Sequence, residues 1–373
     1  MKYYIIAGEA SGDLHGANLI KALKTEDPQA HIRCWGGDLM EAAGGSLVKH
    51  YKTLAFMGFI EVLFNLKTIV RNIAFCKEDI ADFAPDALIF IDYPGFNMRI
   101  AQWAKSKGIS THYYISPQIW AWKESRIKAI KRDVDAMYVI LPFEKDFYEN
   151  KHQFPVQFVG HPLIDAIKQQ EPCSLAEFQE QNNLSNLPII ALLPGSRKQE
   201  LSKMLAVLLS VVPDFPDYQF VIAGAPSQDF GVYKPFINGD RVKFISNKTY
   251  ELLQHATAAL VTSGTATLET ALFKVPEVVC YKGSWASYQI AKRIITLKYI
   301  SLVNLIMDQE VVAELIQENC NSAQIKLELQ RILEPENRKQ LLEKYAELES
   351  KLGGAGASQK TAQLIVRSLQ QLR

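Results

Sequence analysis

With 373 residues, 48% of them hydrophobic, the chain is long enough for two domains of ordinary size, each with its own core. Lys plus Arg (41) nearly balances Asp plus Glu (40), so no strong basic field marks nucleic acid as the main partner. Five cysteines, Cys34, Cys76, Cys173, Cys280 and Cys320, are odd in number and scattered without the close pairs of metal or redox sites, which fits a reducing cytoplasm. A strand pattern begins directly after Met1-Lys2, so no signal peptide is expected, and no apolar run reaches the roughly 18 residues that span a bilayer.

Tyr3 to Ala7 reads as a buried strand, and Leu14, Ala17, Leu19, Ile20 and Leu23 form the apolar face of the helix after it. Between them lies a ligand loop, Gly-Glu-Ala-Ser-Gly-Asp (8 to 13). Ser11 or Asp13 can cap the helix, Gly8 and Gly12 let a guest approach the backbone, and the first-turn amides favour an anionic or polyhydroxylated guest. Glu9, Ser11, Asp13 and His15 are the polar groups nearest it. The spacing Gly8-x-x-x-Gly12-x-x-x-Gly16 is neither a dinucleotide fingerprint nor a P-loop, and the serine does not sit in a nucleophile elbow.

From residue 1 to about 165 apolar strand runs alternate with helical stretches: Tyr3 to Ala7, Ile32 to Trp35, Ala87 to Ile91, Ser110 to Ile115 and Ala136 to Leu141. The alternation predicts βαβ units and a parallel sheet. A second series, Pro188 to Leu193, Tyr218 to Ala223, Val242 to Ile245, Ala258 to Thr262 and Val275 to Cys280, predicts a second Rossmann-like unit. The expected division is therefore 1–165, 166–345 and a last helical segment, 346–373, with helix from Asn304 onward. That last helix packs on the first unit or on a partner subunit. Two such units place the carboxyl ends of two parallel sheets across one cleft.

The stretch Leu54 to Phe75 carries Phe56, Phe59, Phe64 and further apolar residues at helical spacing, with Glu61, Lys67 and Arg71 on other faces. Such a face serves as core, as a seat for acyl chains or as a membrane-surface helix. The basic run Lys123, Arg126, Lys128, Lys131 and Arg132 is either a solvated helix face or a meeting point for anionic head groups.

Four strand ends carry candidate chemistry. Ile91-Asp92-Tyr93-Pro94-Gly95 puts a carboxylate, Asp92, on a turn after a buried strand. Trp120 and Trp122 come after another strand, where they can stack on a sugar or an acyl chain, or pack as core. In the second unit, Pro194-Gly195-Ser196-Arg197 and Ser263-Gly264-Thr265-Ala266-Thr267-Leu268-Glu269 are strand-to-helix turns of anion-binding type. Arg197 can engage two phosphate oxygens at once, and Glu269 is placed to accept from a ribose diol. Together they read as a nucleotide diphosphate site. Asp133-Val134-Asp135 precedes its strand and is not taken as a metal site, so no metal or other cofactor is expected.

These motifs, together with Tyr-Ile-Ser-Pro-Gln-Ile-Trp-Ala-Trp (114 to 122), Leu-Pro-Phe-Glu (141 to 144), Val-Gly-His-Pro-Leu (159 to 163) and Tyr-Ile-Ser-Leu-Val-Asn (299 to 304), resemble the lipid-A-disaccharide synthase family over almost the whole chain. The resemblance implies an inverting glycosyltransferase of GT-B architecture, joining UDP-2,3-diacylglucosamine to 2,3-diacylglucosamine 1-phosphate (lipid X). It implies a cytoplasmic protein at the inner face of the membrane, and a homodimer is compatible with it. It assigns Gly195, Ser196, Arg197, Ser263, Gly264, Thr265, Thr267, Glu269, Asn304 and Gln317 to the UDP-sugar, and Glu9, Ser11, Asp13 and Asp92 to the sugars. Asp92 is the first choice for the base, then Glu9 and Asp13, since Gly95 stands where the family commonly carries a second Asp. Phe56, Phe59, Phe64, Trp120 and Trp122 are the lipid candidates. The alternatives are another UDP-sugar enzyme of this architecture, such as a lipid-linked N-acetylglucosaminyltransferase or a UDP-sugar 2-epimerase, or a two-lobed binding protein without chemistry.

Overall fold

The computed structural model describes residues 1–53, 66–196, 198–226, 228–237, 239–283 and 297–371. The chain forms two units, Met1–Ala166 with Leu352–Arg373, and Ile167–Lys351. The stretch expected as an amphipathic helix from Leu54 lies outside the described residues up to 65.

In the first unit the strands are β1 (Lys2–Ala7), β2 (His31–Gly36), β3 (Ser46–His50), β4 (Ala87–Ile91), β5 (Ser110–Tyr114), β6 (Ala136–Val139) and β7 (Gln157–Phe158). The helices among them are α1 (Ala10–Glu26), α2 (Asp38–Ala42), α3 (Leu66–Phe83), α4 (Pro94–Ser106), α5 (Ile127–Asp133), α6 (Pro142–Asp146) and α7 (Pro162–Lys168). The sheet order is β3-β2-β1-β4-β5-β6-β7, with every pair parallel. β1 and β4 lie at its centre with both faces covered, which is why Tyr3 to Ala7 and Ala87 to Ile91 are continuous apolar runs without alternation.

The second unit holds β8 (Ile189–Leu193), β9 (Gln219–Gly224), β10 (Val242–Ser246), β11 (Ala256–Thr262), β12 (Glu277–Tyr281) and β13 (Glu314–Ile316). Its helices are α8 (Leu175–Gln181), α9 (Lys198–Leu209), α10 (Thr249–His255), α11 (Thr265–Leu272), α12 (Leu302–Met307), α13 (Ser322–Leu333) and α14 (Pro335–Lys351). The order β10-β9-β8-β11-β12-β13 is again wholly parallel. Sequence pattern places helix alone after Asn304, whereas Glu314–Ile316 pairs with β12. Three residues at a sheet edge are too few to show a strand period. β3 and β7, also short or half-exposed, escape for the same reason.

The last helix, α15 (Ala357–Gln371), packs on α1 within the first unit. The chain returns there at Leu352, not at 346, because α14 runs unbroken to Lys351. Asp165 accepts from the amides of Gly356 (2.5 Å) and Ser358 (3.2 Å), and so caps α15 from α7. Gln359 and Gln363 donate to Glu26 at the end of α1, and Lys360 to the carbonyl of Phe158.

Buried polar groups lock the first sheet to its helices. The Tyr4 hydroxyl donates to Asp79 of α3 (2.6 Å) and accepts from the Trp35 indole (2.8 Å), while Arg33 pairs with the same carboxylate. In the second unit a buried acid lies without such a lock. Glu277, at the amino end of β12, is fully buried and neither carboxylate oxygen has a partner among the described residues, and burial pushes its carboxyl well above the ordinary range. It lines a 570 Å³ cavity together with Gln309, Arg331, Gln340 and Lys344.

A buried polar group left without a partner costs on the order of 1–3 kcal/mol, so Glu277→Met is expected to stabilise the protein by about that amount. Because the folded carboxyl titrates above the unfolded one, wild-type stability from this group is full below the unfolded value and falls as pH rises toward the folded value. The gain from the substitution therefore grows as pH rises above the ordinary carboxylate value of about 4, as read by urea unfolding. A gain independent of pH would show that Glu277 is ionised in the folded protein.

Candidate active site

Both sheets reverse their winding at one point, between β1 and β4 in the first unit and between β8 and β11 in the second. In such sheets ligands bind outside the carboxyl ends at the reversal, because the connections on either side leave toward opposite faces. The motifs read from the sequence fall on these ends.

In the first unit β1 runs into Gly8 and Glu9, and Glu9 is the N-cap residue of α1. Glu9 and Ser11 are exposed. Across the reversal, β4 ends in Asp92 and Tyr93, two consecutive residues in the left-handed region (φ 43° and 48°). Neither is a glycine, so the turn is strained and persists because its surroundings over-determine it. The Asp92 carbonyl accepts from the Tyr113 hydroxyl (2.6 Å) and the Asn97 amide (2.7 Å), and its N–H donates to Ile115 (3.2 Å). The Tyr93 ring lies against Gly8, where a Cβ would stand 2.4 Å from it, so only glycine fits. Burial first, and then the negative charges of Glu9 and Glu144, push the Asp92 carboxyl up to about 7, against the opposing bond from the Tyr93 amide.

Asp13 belongs elsewhere. Its carboxylate is buried and accepts from the amides of Gly37 (2.7 Å), Met40 (3.0 Å) and Leu39 (3.2 Å), capping α2. The Asp13 carboxylate is thus committed to holding α2 against α1. Burial likewise keeps His15 and His161 neutral, at about 4 and about 3. Gly95 is exposed in the first turn of α4 with no atom within 4 Å of where a Cβ would stand.

The two tryptophans have different surroundings. The Trp120 indole donates to Glu144 (3.2 Å) and meets the Phe143 ring edge-on at 4.9 Å. Trp122 is 43% exposed, with the Lys123 ammonium 4.4 Å and the Arg126 guanidinium 5.4 Å from its ring centroid. Glu144, which sequence reasoning left without a role, also accepts from Ser116 (2.6 Å), Leu141 (2.9 Å) and Ile140 (3.1 Å), which joins the loop after β5 to the start of α6. The Pro-x-Glu opening of α6 was the available signal.

In the second unit Gly195 (φ 88°) turns the chain at the end of β8 and leaves the exposed Ser196 beyond it. β11 ends in Thr262, whose buried hydroxyl has no partner among the described residues. Gly264 is the N-cap residue of α11, Thr265 is exposed, and the amides of Thr265 and Ala266 have no acceptor within the helix. The Thr267 hydroxyl donates back to Gly264 (2.9 Å) and Ser263 to the carbonyl of Ile300 (2.8 Å). Just past the end of β13, Gln317 takes a left-handed backbone (φ 53°), and its buried amide nitrogen has no partner among the described residues. Glu269 accepts from Tyr250 (2.8 Å).

Asn304 is the exception among the donor candidates. It is fully buried, with its amide spent on Val311, Val312 and Glu314, so it holds the turn after α12. Arg197, Phe56, Phe59 and Phe64 lie outside the described residues. Among the described residues no three of His, Cys, Asp and Glu stand together as metal ligands, and no helix is long and apolar enough to cross a membrane.

Residues 3–367 match the family model described as lipid-A-disaccharide synthetase. The lipid-A-disaccharide synthase of Trichlorobacter lovleyi is 37% identical, covering 98% of this chain and 97% of its own. That of Coxiella burnetii is 38% identical, covering 97% and 96%. Among solved structures, a UDP-GlcNAc 2-epimerase from Neisseria meningitidis superposes with a TM-score of 0.66 at 12% identity over both whole chains. The glycotransferase of kitacinnamycin does so at 0.63 and 14%, over 98% of each. At such identities these structures share the fold.

A carboxyl in the Asp92 position is expected to ionise near pH 7, with its charged fraction rising as pH rises through that value. Glu9→Gln removes one of the charges that raise it and should bring the midpoint down, as tracked by NMR of the labelled carboxyl. A midpoint near the usual carboxylate value of about 4 in the wild type would refute the burial argument.

Proposed function

The chain belongs to the lipid-A-disaccharide synthase family, and from that membership we propose the reaction and the roles of its residues. It is a glycosyltransferase that joins the glucosamine of UDP-2,3-diacylglucosamine to lipid X and releases UDP. Inverting transfer requires a base for the attacking 6-hydroxyl of the acceptor and donors for the charge that develops on the departing diphosphate.

Asp92 is the base. The observation that carries this assignment is a carboxyl at the reversal of the first sheet, raised to about 7 and fixed by a pinned, strained turn. Such a group is substantially ionised at neutral pH and still basic enough to take a proton, which suits general-base work. Glu9 lies on the same end, raises the Asp92 carboxyl and is the second carboxylate for the sugars, with Ser11 beside it.

The diphosphate is held by the turn after β8 and the start of α11. Exposed hydroxyls of Ser196 and Thr265, together with free first-turn amides, supply neutral donors, and the helix dipole adds to them. Arg197, next to Ser196 in the sequence, supplies the positive charge in this reading. With these donors the reaction is expected to proceed without a metal. The orphaned amide of Gln317 and hydroxyl of Thr262 are further donors for the nucleotide sugar.

Membrane association is the finer part of this reading. The acceptor carries acyl chains, and Trp122, flanked by Lys123 and Arg126, presents an exposed aromatic with adjacent cations, a combination suited to an anionic lipid surface.

The test is UDP formation from UDP-2,3-diacylglucosamine with and without lipid X, with the disaccharide measured as product. Turnover that depends on lipid X supports the reading; UDP release without it, or epimerisation of the donor, overturns it. Asp92→Asn is expected to lower kcat by a factor of roughly 10²–10⁴. Arg197→Ala is expected to lower it over about a hundredfold, and Arg197→Lys to recover part. Activity should survive dialysis against EDTA. Loss restored by Mg²⁺ would assign the leaving group to a metal instead.

A further inference from the structure

Glu269 is the one acidic group at the carboxyl end of the second sheet that sequence reasoning sets aside for a ribose, and its surroundings name a second residue for that task. Its Oε1 accepts from the Tyr250 hydroxyl at 2.8 Å, the one hydrogen bond to its carboxylate among the described residues, and no ion pair joins it there. Tyr250 stands in the first turn of α10, the helix after β10, just as Glu269 stands in the helix after β11. Both side chains thus come from helices that begin at the ligand end of the sheet. The Tyr250 ring is itself seated, with its centroid 5.2 Å from that of Phe273 just past the end of α11. A phenol so fixed offers its hydroxyl in one place.

We propose that Tyr250 is a positioning residue: its phenol ties one carboxylate oxygen of Glu269, so that the other is presented to the 2′- and 3′-hydroxyls of the nucleotide's ribose. The inference rests on the reading of this end as the UDP-sugar site. Burial works against the arrangement by pushing the Glu269 carboxyl above its ordinary value, and the Tyr250 bond is the opposing influence. A protonated Glu269 would have one acceptor fewer for a diol. Tyr250 therefore serves the ribose in two ways, by orientation and by keeping the acceptor charged, without touching the ligand.

The test measures inhibition by UDP and by 2′-deoxy-UDP in the full-length enzyme, in wild type, Tyr250→Phe and Glu269→Ala. Tyr250→Phe keeps the ring that packs on Phe273 and removes only the hydroxyl, so its melting temperature is expected to stay near that of the wild type. Wild type should prefer UDP over 2′-deoxy-UDP by about tenfold or more, on the scale of a hydrogen bond to a charged group. Glu269→Ala should abolish the preference. Tyr250→Phe should lose most of it near neutral pH and regain part as pH rises and Glu269 ionises, with the loss in KM for the donor exceeding that in kcat. If Glu269→Ala loses the preference and Tyr250→Phe keeps it at every pH, the phenol is only a structural brace and the proposal fails. If Glu269→Ala keeps the preference, the ribose assignment of Glu269 fails, and the proposal with it.

Discussion

The constraint on which the rest depends is the reversal of winding in each parallel sheet. A strand that leads into a right-handed crossover packs its helix on one face; when the order reverses, the next connection packs on the other. At that point two strand ends lie side by side with their loops drawn apart, and nothing in the sheet covers them. Gly8, Glu9, Asp92 and Tyr93 occupy that place in the first unit, and Gly195, Ser196, Ser263 and Gly264 occupy it in the second. The helix starts that border these ends bring unpaired amides with them.

The two ends carry different chemistry because their neighbours differ. In the first unit the Asp92 turn is closed by Tyr113, Asn97 and Ile115, and the Tyr93 ring covers Gly8, so the carboxyl is drawn out of water beside another carboxylate. Strain in the backbone and a raised carboxyl are two results of the same tight packing. The second unit has hydroxyls and amides at its turns, with buried donors on Thr262 and Gln317 that have no partner among the described residues.

Several carboxylates that look alike in the sequence do unlike work. Asp13, Asp165 and Glu144 each accept from two or more backbone amides and hold one segment of the first unit against another. Glu314 does the same in the second unit, taking the amides of Ile300 and Ser301. Asp92 has no such set of amides on its side chain, and this difference, not residue type, leaves its carboxyl raised by burial.

By itself the sequence determined the features that local pattern dictates. Continuous apolar runs such as Ala87 to Ile91 and Ile189 to Leu193 mark strands buried on both faces, and their alternation with helical stretches requires two parallel sheets. Turn chemistry after those runs located Glu9, Asp92, Ser196 and Thr265, since a small-residue turn between strand and helix is local too. Where partners are distant in the chain the pattern is silent. Asp13 meets amides 24 to 27 residues away, Asn304 is enclosed by the turn to β13, and Tyr250 reaches Glu269 from another helix. The short edge strand β13 and the return of α15 to α1 likewise depend on contacts made only after the sheets have formed. A carboxylate's neighbours fix its charge and its freedom to move, and the tertiary structure alone chooses those neighbours.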